Sequence, residues 1–162
     1  MIRFLSFLLF LLCCHSPMGM AQGKKDMKDY WIDKYLSVSF PLESIRINST
    51  FGSRVDPFTG KHKLHKGLDL RARYEEVLSM FDGYVKGVGY DSGSGKYITM
   101  QYGDYTVSYC HLSEIWVSDN QKVYAGDPIG ISGTTGRSTG PHLHITCRLR
   151  AVWKTHTTCF FT

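Results

Sequence analysis

The feature that most limits the fold of this chain is the way glycine cuts short β-forming runs. Gly83 to Tyr90 alternates, with Tyr84, Val85 and Val88. Lys96 to Tyr102 is a second such run and Tyr105 to Leu112 a third, and only Gly103-Asp104 stands between them. Two residues of that type between two strand-like runs predict a tight hairpin. Pro128 to Ser132 and His142 to Leu149 read as further strands. No stretch carries a sustained helical apolar period, and no internal repeat is present. The expectation is an all-β fold, a sandwich or open barrel of short strands. A length of 162 residues suits one domain with one core.

The N-terminus stands apart. Met1-Ile2-Arg3 is a short positive start, Phe4 to Leu12 an almost unbroken apolar run, and Gly19-Met20-Ala21 a small-residue exit. Together they read as a secretory signal peptide over residues 1–21. The apolar run is too short to span a bilayer comfortably. Lipoprotein anchoring is disfavoured, because Leu12 stands before Cys13 where a small residue is wanted. The expected product starts near Gln22 and is exported to the periplasm, cell envelope or extracellular space, with no membrane span left. A polar lead-in occupies residues 22–40, and the folded domain residues 41–162. Loss of Arg3 takes the formal net charge from +5 to +4, a mildly basic balance that suits an anionic wall or membrane surface. No concentrated basic patch points to nucleic acid. Cys13 and Cys14 fall in the signal, so Cys110, Cys147 and Cys159 remain. Three cysteines allow at most one internal disulfide, and no CxxC pair offers a structural thiolate zinc site.

Chemistry concentrates in three histidine-bearing segments: His65-Lys66-Gly67-Leu68-Asp69, Tyr109-Cys110-His111-Leu112 and Gly140-Pro141-His142-Leu143-His144. On a strand, His142 and His144 share a face. A lone HxH is more often a surface pair than a site, but His65 and Asp69, four residues apart, share a face in an extended segment too. Two histidines and a carboxylate are the ligand set of an open, catalytic zinc site, whose fourth position is left to water. HExxH is absent, so no glutamate base is evident. A neutral imidazole can instead take the proton of a water acidified by zinc, and a second can stabilise the oxyanion. His111 and one of His142 and His144 are available for those roles.

The three segments, in this order, resemble the lysostaphin/LytM-type zinc endopeptidases that act on peptidoglycan. Phe51-Gly52-Ser53-Arg54, Asp56-Pro57 and Thr59-Gly60 are similar to that family's lead into its first ligand, and Gly133 to His144 is similar to its most recognisable stretch. The likeness runs from about Arg46 to Leu149. It implies an antiparallel β-sheet core with a groove bounded by loops, built as a duplicated hybrid motif. It also implies His65, Asp69 and His144 as ligands of one zinc ion, and His111 and His142 as the catalytic pair. The implied substrate is a peptidoglycan peptide, the expected state a monomer, and a regulatory envelope protein a possible partner. The competing expectation is a non-catalytic regulator of other wall hydrolases; loss of ligands would mark it, and all five positions are intact.

Three further expectations follow from strand parity and from departures. Tyr109 shares parity with His111 and would line the groove, unless it joins cross-strand packing, the commoner outcome. Cys110 and Cys147 have parity opposite to His111 and His144, and so point away from the metal. Arg71-Ala72-Arg73-Tyr74-Glu75, Asp56 and the tail after Leu149 depart from the family pattern, the first at a loop expected to alter the groove rim.

Overall fold

The computed structural model describes Met27 and residues 37–150, the latter within the compact unit Tyr35–Thr162. The expected signal peptide, most of the lead-in and the apolar tail around Cys159 lie outside the described residues.

All regular structure between residues 37 and 150 is β. The strands are β1 (Ile47–Ser49), β2 (Gly52–Val55), β3 (His62–His65), β4 (Leu68–Arg71), β5 (Glu76–Leu78), β6 (Gly83–Asp91), β7 (Gly95–Tyr102), β8 (Tyr105–Leu112), β9 (Glu114–Ile115), β10 (Lys122–Val123), β11 (Pro128–Ile131) and β12 (His142–Leu149). They form a seven-stranded sheet in the order β1-β4-β12-β8-β7-β6-β10, a three-stranded sheet β5-β11-β9 and a two-stranded ribbon β2-β3. Every pairing is antiparallel. The expected all-β antiparallel core is therefore what the chain forms.

β7 and β8 make the predicted hairpin. Tyr102 lies opposite Tyr105, and Gly103 turns the chain with φ 57°, a conformation that glycine adopts without a Cβ penalty.

The large sheet has two unlike faces. One carries Leu70, Ile98, Met100, Val107, Tyr109, Leu143 and Ile145, which join Val77 and Ile129 of the three-stranded sheet in a single buried cluster. Polar atoms inside it are paired: the Tyr109 hydroxyl accepts from the Met80 amide (3.2 Å) and meets the Tyr102 hydroxyl (2.9 Å), which in turn meets Ser79 Oγ (2.8 Å). Tyr109 is thus a core residue, the packing alternative of the two weighed for it. The opposite face holds Asp69, Tyr97, Thr99, Ser108, Cys110, His144, Thr146 and Arg148, and forms the floor of a groove of about 880 Å³.

Candidate metal centre and active-site groove

β12 does most of the placing. Its even-numbered residues His142, His144, Thr146 and Arg148 line the groove, while Leu143 and Ile145 enter the core, as period-2 alternation requires. β12 pairs with β4 on one side and β8 on the other, so that His144 lies opposite both Asp69 and Cys110. His65 arrives differently. It ends β3, pairs with Gly52 across the ribbon, and is separated from β4 by the turn Lys66-Gly67. His65 and Asp69 therefore meet across a break between two sheets, not along one extended segment as the spacing suggested. The break needs Gly67: a Cβ there would sit 2.7 Å from the His144 imidazole.

His111 reaches the groove through a bulge. Lys96 pairs with Leu112 and Ile98 with Tyr109, so Cys110 and His111 together oppose the single residue Tyr97. His111 takes up the extra residue with φ 64°, in the left-handed region that few residues other than glycine occupy. The consequence corrects the parity argument. Cys110 and His111 both line the groove, and Tyr109 does not share a face with His111. Cys110 is a free thiol at the groove floor, and burial pushes it up to about 11, which keeps it protonated at neutral pH. Cys147 packs on the core side, so the two cysteines are on opposite faces of the sheet and are not bonded to each other. None of Arg71 to Glu75 lines the groove; the Glu75 amide instead donates to Ser132 Oγ (2.8 Å).

Three of the candidate residues converge closely. His65 Nε2 is 3.1 Å from Asp69 Oδ1 and 3.1 Å from His144 Nδ1, and His144 Nδ1 is 2.7 Å from Asp69 Oδ1. His142 Nε2 stands 3.6 Å from the same oxygen. The His142 ring lies 4.7 Å from that of His111, centroid to centroid, and the His111 ring 5.7 Å from that of His144. All five residues singled out from the sequence thus share one site.

The hydrogen bonds around them fix tautomers. His65 Nδ1 faces the Thr50 carbonyl (2.7 Å), His111 Nδ1 the Thr135 carbonyl (2.8 Å) and His142 Nδ1 the Gly140 carbonyl (2.8 Å). A carbonyl can only accept, so each Nδ1 carries the proton and each neutral ring presents an Nε2 lone pair to the groove. Asp69 is oriented from its other oxygen. Arg54 Nη2 lies 3.1 Å from Oδ2, while Arg54 Nη1 donates to Ser49 Oγ (2.6 Å). Burial works against ionisation of Asp69, but its contacts with His144, His65 and His142 outweigh it and bring the carboxyl to about 2. Burial lowers His111 to about 4, with the Thr135 contact pulling the other way, so that His111 is neutral over the physiological range.

The donor set fits a metal ion. Two nitrogens and one carboxylate oxygen surround a common point. A lone pair of His65 Nε2 faces a carboxylate oxygen at 3.1 Å, acceptor against acceptor, which only a cation or a second proton on His65 relieves. The backbone carbonyl on His65 Nδ1 and the arginine on Asp69 Oδ2 are the outer partners that metal ligands commonly carry. Nothing in the sequence marks Thr50 for its contact, whereas Arg54 lies in Phe51-Gly52-Ser53-Arg54 and Thr135 in the Gly133 to His144 stretch, neither of which announces the partner found.

The profile of peptidase family M23 matches residues 63–155, more than half of the chain and a span that includes all five site residues. The chain belongs to peptidase family M23. Peptidoglycan DD-endopeptidase ShyA of Vibrio cholerae serotype O1 is 40% identical over 109 residues, covering 65% of this chain and 25% of that protein. This M23 chain thus spans about a quarter of the length of that curated relative. Among solved structures, a zinc-containing peptidase from Vibrio cholerae superposes with a TM-score of 0.63 at 34% identity, covering 68% of this chain and 36% of that one. The catalytic domain of the antimicrobial peptidase lysostaphin from Staphylococcus simulans gives 0.62 at 27% identity, covering 71% and 88%. The resemblance read from the sequence is therefore to the family the chain belongs to. No helix among the described residues is long and apolar enough to cross a membrane.

Proposed function

We propose that this M23 chain is a zinc-dependent endopeptidase that hydrolyses peptide cross-links or stem peptides of bacterial peptidoglycan after export to the cell envelope. The observation that carries the reading is the convergence of His65 Nε2, Asp69 Oδ1 and His144 Nδ1 within 3.1 Å of one another, beside two imidazoles that take no part in that triangle. The likeness to a peptidoglycan DD-endopeptidase supports the substrate class. The N-terminal charge, apolar run and small-residue exit support export.

His65, Asp69 and His144 would hold the metal. Zinc, when bound, supplies Lewis acidity to the scissile carbonyl and lowers the pKa of the attacking water. The remaining work belongs to His111 and His142. Both are held through Nδ1 with Nε2 turned inward, so either can accept the proton of the water and return it to the leaving amine. The imidazole not used as base can, once protonated, donate from Nε2 to the developing oxyanion. Burial keeps His111 neutral and ready to accept. Arg54 holds Asp69 Oδ2, leaving Oδ1 alone to face the two nitrogens.

The test is digestion of purified peptidoglycan by the full chain, with and without a zinc chelator, read by mass spectrometry of the released fragments. Chelator-sensitive fragments with new amino and carboxyl ends are expected, and they name the bond. Intact peptidoglycan in the presence of folded, zinc-loaded protein would overturn the proposal.

A further inference from the structure

On one wall of the groove, the loop from Gly133 to Pro141 supplies the hydrogen-bond acceptors of both non-ligand histidines. Its Thr135 carbonyl accepts a hydrogen bond from His111 Nδ1–H, and its Gly140 carbonyl one from His142 Nδ1–H. Ser138 Oγ donates to the Gly140 carbonyl (2.7 Å) and lies 3.2 Å from His142 Nδ1. Between these two supports stands Arg137, whose side chain leaves the loop altogether. Its Nη2 donates to both carboxylate oxygens of Asp56, at 2.8 Å each. Its guanidinium also lies 4.4 Å from the centroid of the Phe58 ring.

Asp56 belongs to the other wall, the turn between β2 and β3, and is built to receive that arginine. Its Oδ1 accepts from the Phe58 amide (2.8 Å) and the Thr59 amide (3.1 Å), and its backbone closes the turn through Asp56 N to Lys61 O and Gly60 N to Asp56 O. The Phe58 amide leads the contacts that hold the Asp56 carboxyl below its ordinary value, against the opposing effect of burial. The side chain is buried although it lies at the rim. The pair is thus a charge-assisted contact with an aromatic cover, joining segments 81 residues apart in sequence. The loop it anchors is also held by backbone contacts, Arg137 N to Gly93 O (3.0 Å) and Gly136 packed so closely on Gly95 that a Cβ would collide with it, and by Thr135 Oγ1, which donates to the Leu112 carbonyl (2.7 Å) and accepts from the Lys96 amide (2.9 Å).

We infer that Asp56 and Arg137 are a positioning pair for the reaction: by tying the two groove walls together they fix the loop whose Thr135 and Gly140 carbonyls set the orientation of His111 and His142. They touch none of the proposed metal-ligand side chains. The inference rests on the proposed function for its catalytic consequence, but its structural content, the orientation of two rings, can be read without turnover.

The experiment uses the zinc-loaded, 15N-labelled full chain. It compares wild type with Arg137→Ala, Asp56→Asn and the double variant, measuring kcat, KM, zinc content and the Nδ1–H resonances of His65, His111 and His142. His65, held by Thr50 outside the loop, is the internal reference. In Arg137→Ala and Asp56→Asn the His111 and His142 resonances shift or broaden while that of His65 stays. Zinc content and KM hold, and kcat falls roughly tenfold or more, as displaced catalytic groups do. The double variant is no worse than Arg137→Ala, because the two residues act as one unit. Unchanged His111 and His142 resonances with unchanged kcat in Arg137→Ala, or additive losses in the double variant, would overturn the inference. Should Arg137→Ala lose the His65 resonance as well, it has lost its fold. Asp56→Asn, which can still accept from the Phe58 amide, then decides by the same readings. An inactive wild type with the predicted resonance changes in the variants would sink the proposed function and leave the positioning pair standing.

Discussion

Leu143 and His144 are neighbours on β12 and serve opposite ends. Leu143 is fully buried among the apolar residues of both larger sheets, while His144 turns to a groove floor of carboxylate, hydroxyl, thiol and guanidinium groups. The same contrast repeats across the sheet. Each antiparallel strand gives one set of side chains to cohesion and the other to chemistry, so the rigidity generated on the core face is transmitted through the backbone to the groove face. On the groove face the side chains of the site are held by directional contacts: His65, His111 and His142 are each tied to a backbone carbonyl, and His144 to the Asp69 carboxylate. The lesson is that the fold and the site are separable by parity on regular strands, and that a break in parity, the bulge at Cys110-His111, is where a candidate catalytic residue enters.

Substitutions at the two faces sharpen that separation. His144→Ala has the largest expected effect. It removes one of three converging donors, so zinc and turnover are lost together while the core is untouched, as metal analysis and activity on peptidoglycan will show. Leu143→Ala, one residue away, acts the other way. It costs roughly 2–5 kcal/mol of stability, read by denaturant or thermal unfolding, and the protein that remains folded keeps its zinc. Loss of zinc from folded Leu143→Ala would break the separation. His111→Ala lowers kcat by roughly a hundredfold or more and leaves zinc content at one ion per chain; full turnover in this variant would remove His111 from the mechanism. Arg54→Gln is the mildest. Asp69 loses the partner on Oδ2, and zinc affinity falls on the order of tenfold, measured by competition with a chromophoric chelator, with kcat at saturating zinc nearly unchanged.

Much of this was legible in the residues alone. The alternation around Gly103-Asp104 specified the hairpin because both strand face and turn chemistry are local. His142 and His144 could be placed on one face because they lie on a regular strand. What escaped was non-local. The bulge at His111 is created by the register of β8 against β7, which puts two residues opposite Tyr97. Strand parity therefore sent Cys110 to the wrong face and paired Tyr109 with the wrong neighbour. His65 and Asp69 met as expected, but across a turn between two sheets whose pairing partners lie elsewhere in the chain. The contacts of Arg54 with Asp69, and of Asp56 with Arg137, join segments that only the folded ribbon and loops bring together. In the sequence Asp56 reads both as part of the Asp56-Pro57 lead and as a departure from the family pattern; the guanidinium it receives is 81 residues away.

The central claim is that the metal belongs to the groove face at His65, Asp69 and His144, with the bulged His111 close by and unligated. Anomalous X-ray diffraction at the zinc edge, from crystals of the zinc-loaded chain, tests it most directly. The account predicts one peak about 2.0–2.1 Å from His65 Nε2 and from His144 Nδ1, bonded also to Asp69 and to neither Cys110 nor His111. A peak ligated by the Cys110 thiolate or by His111, or no peak at that triangle, would contradict it.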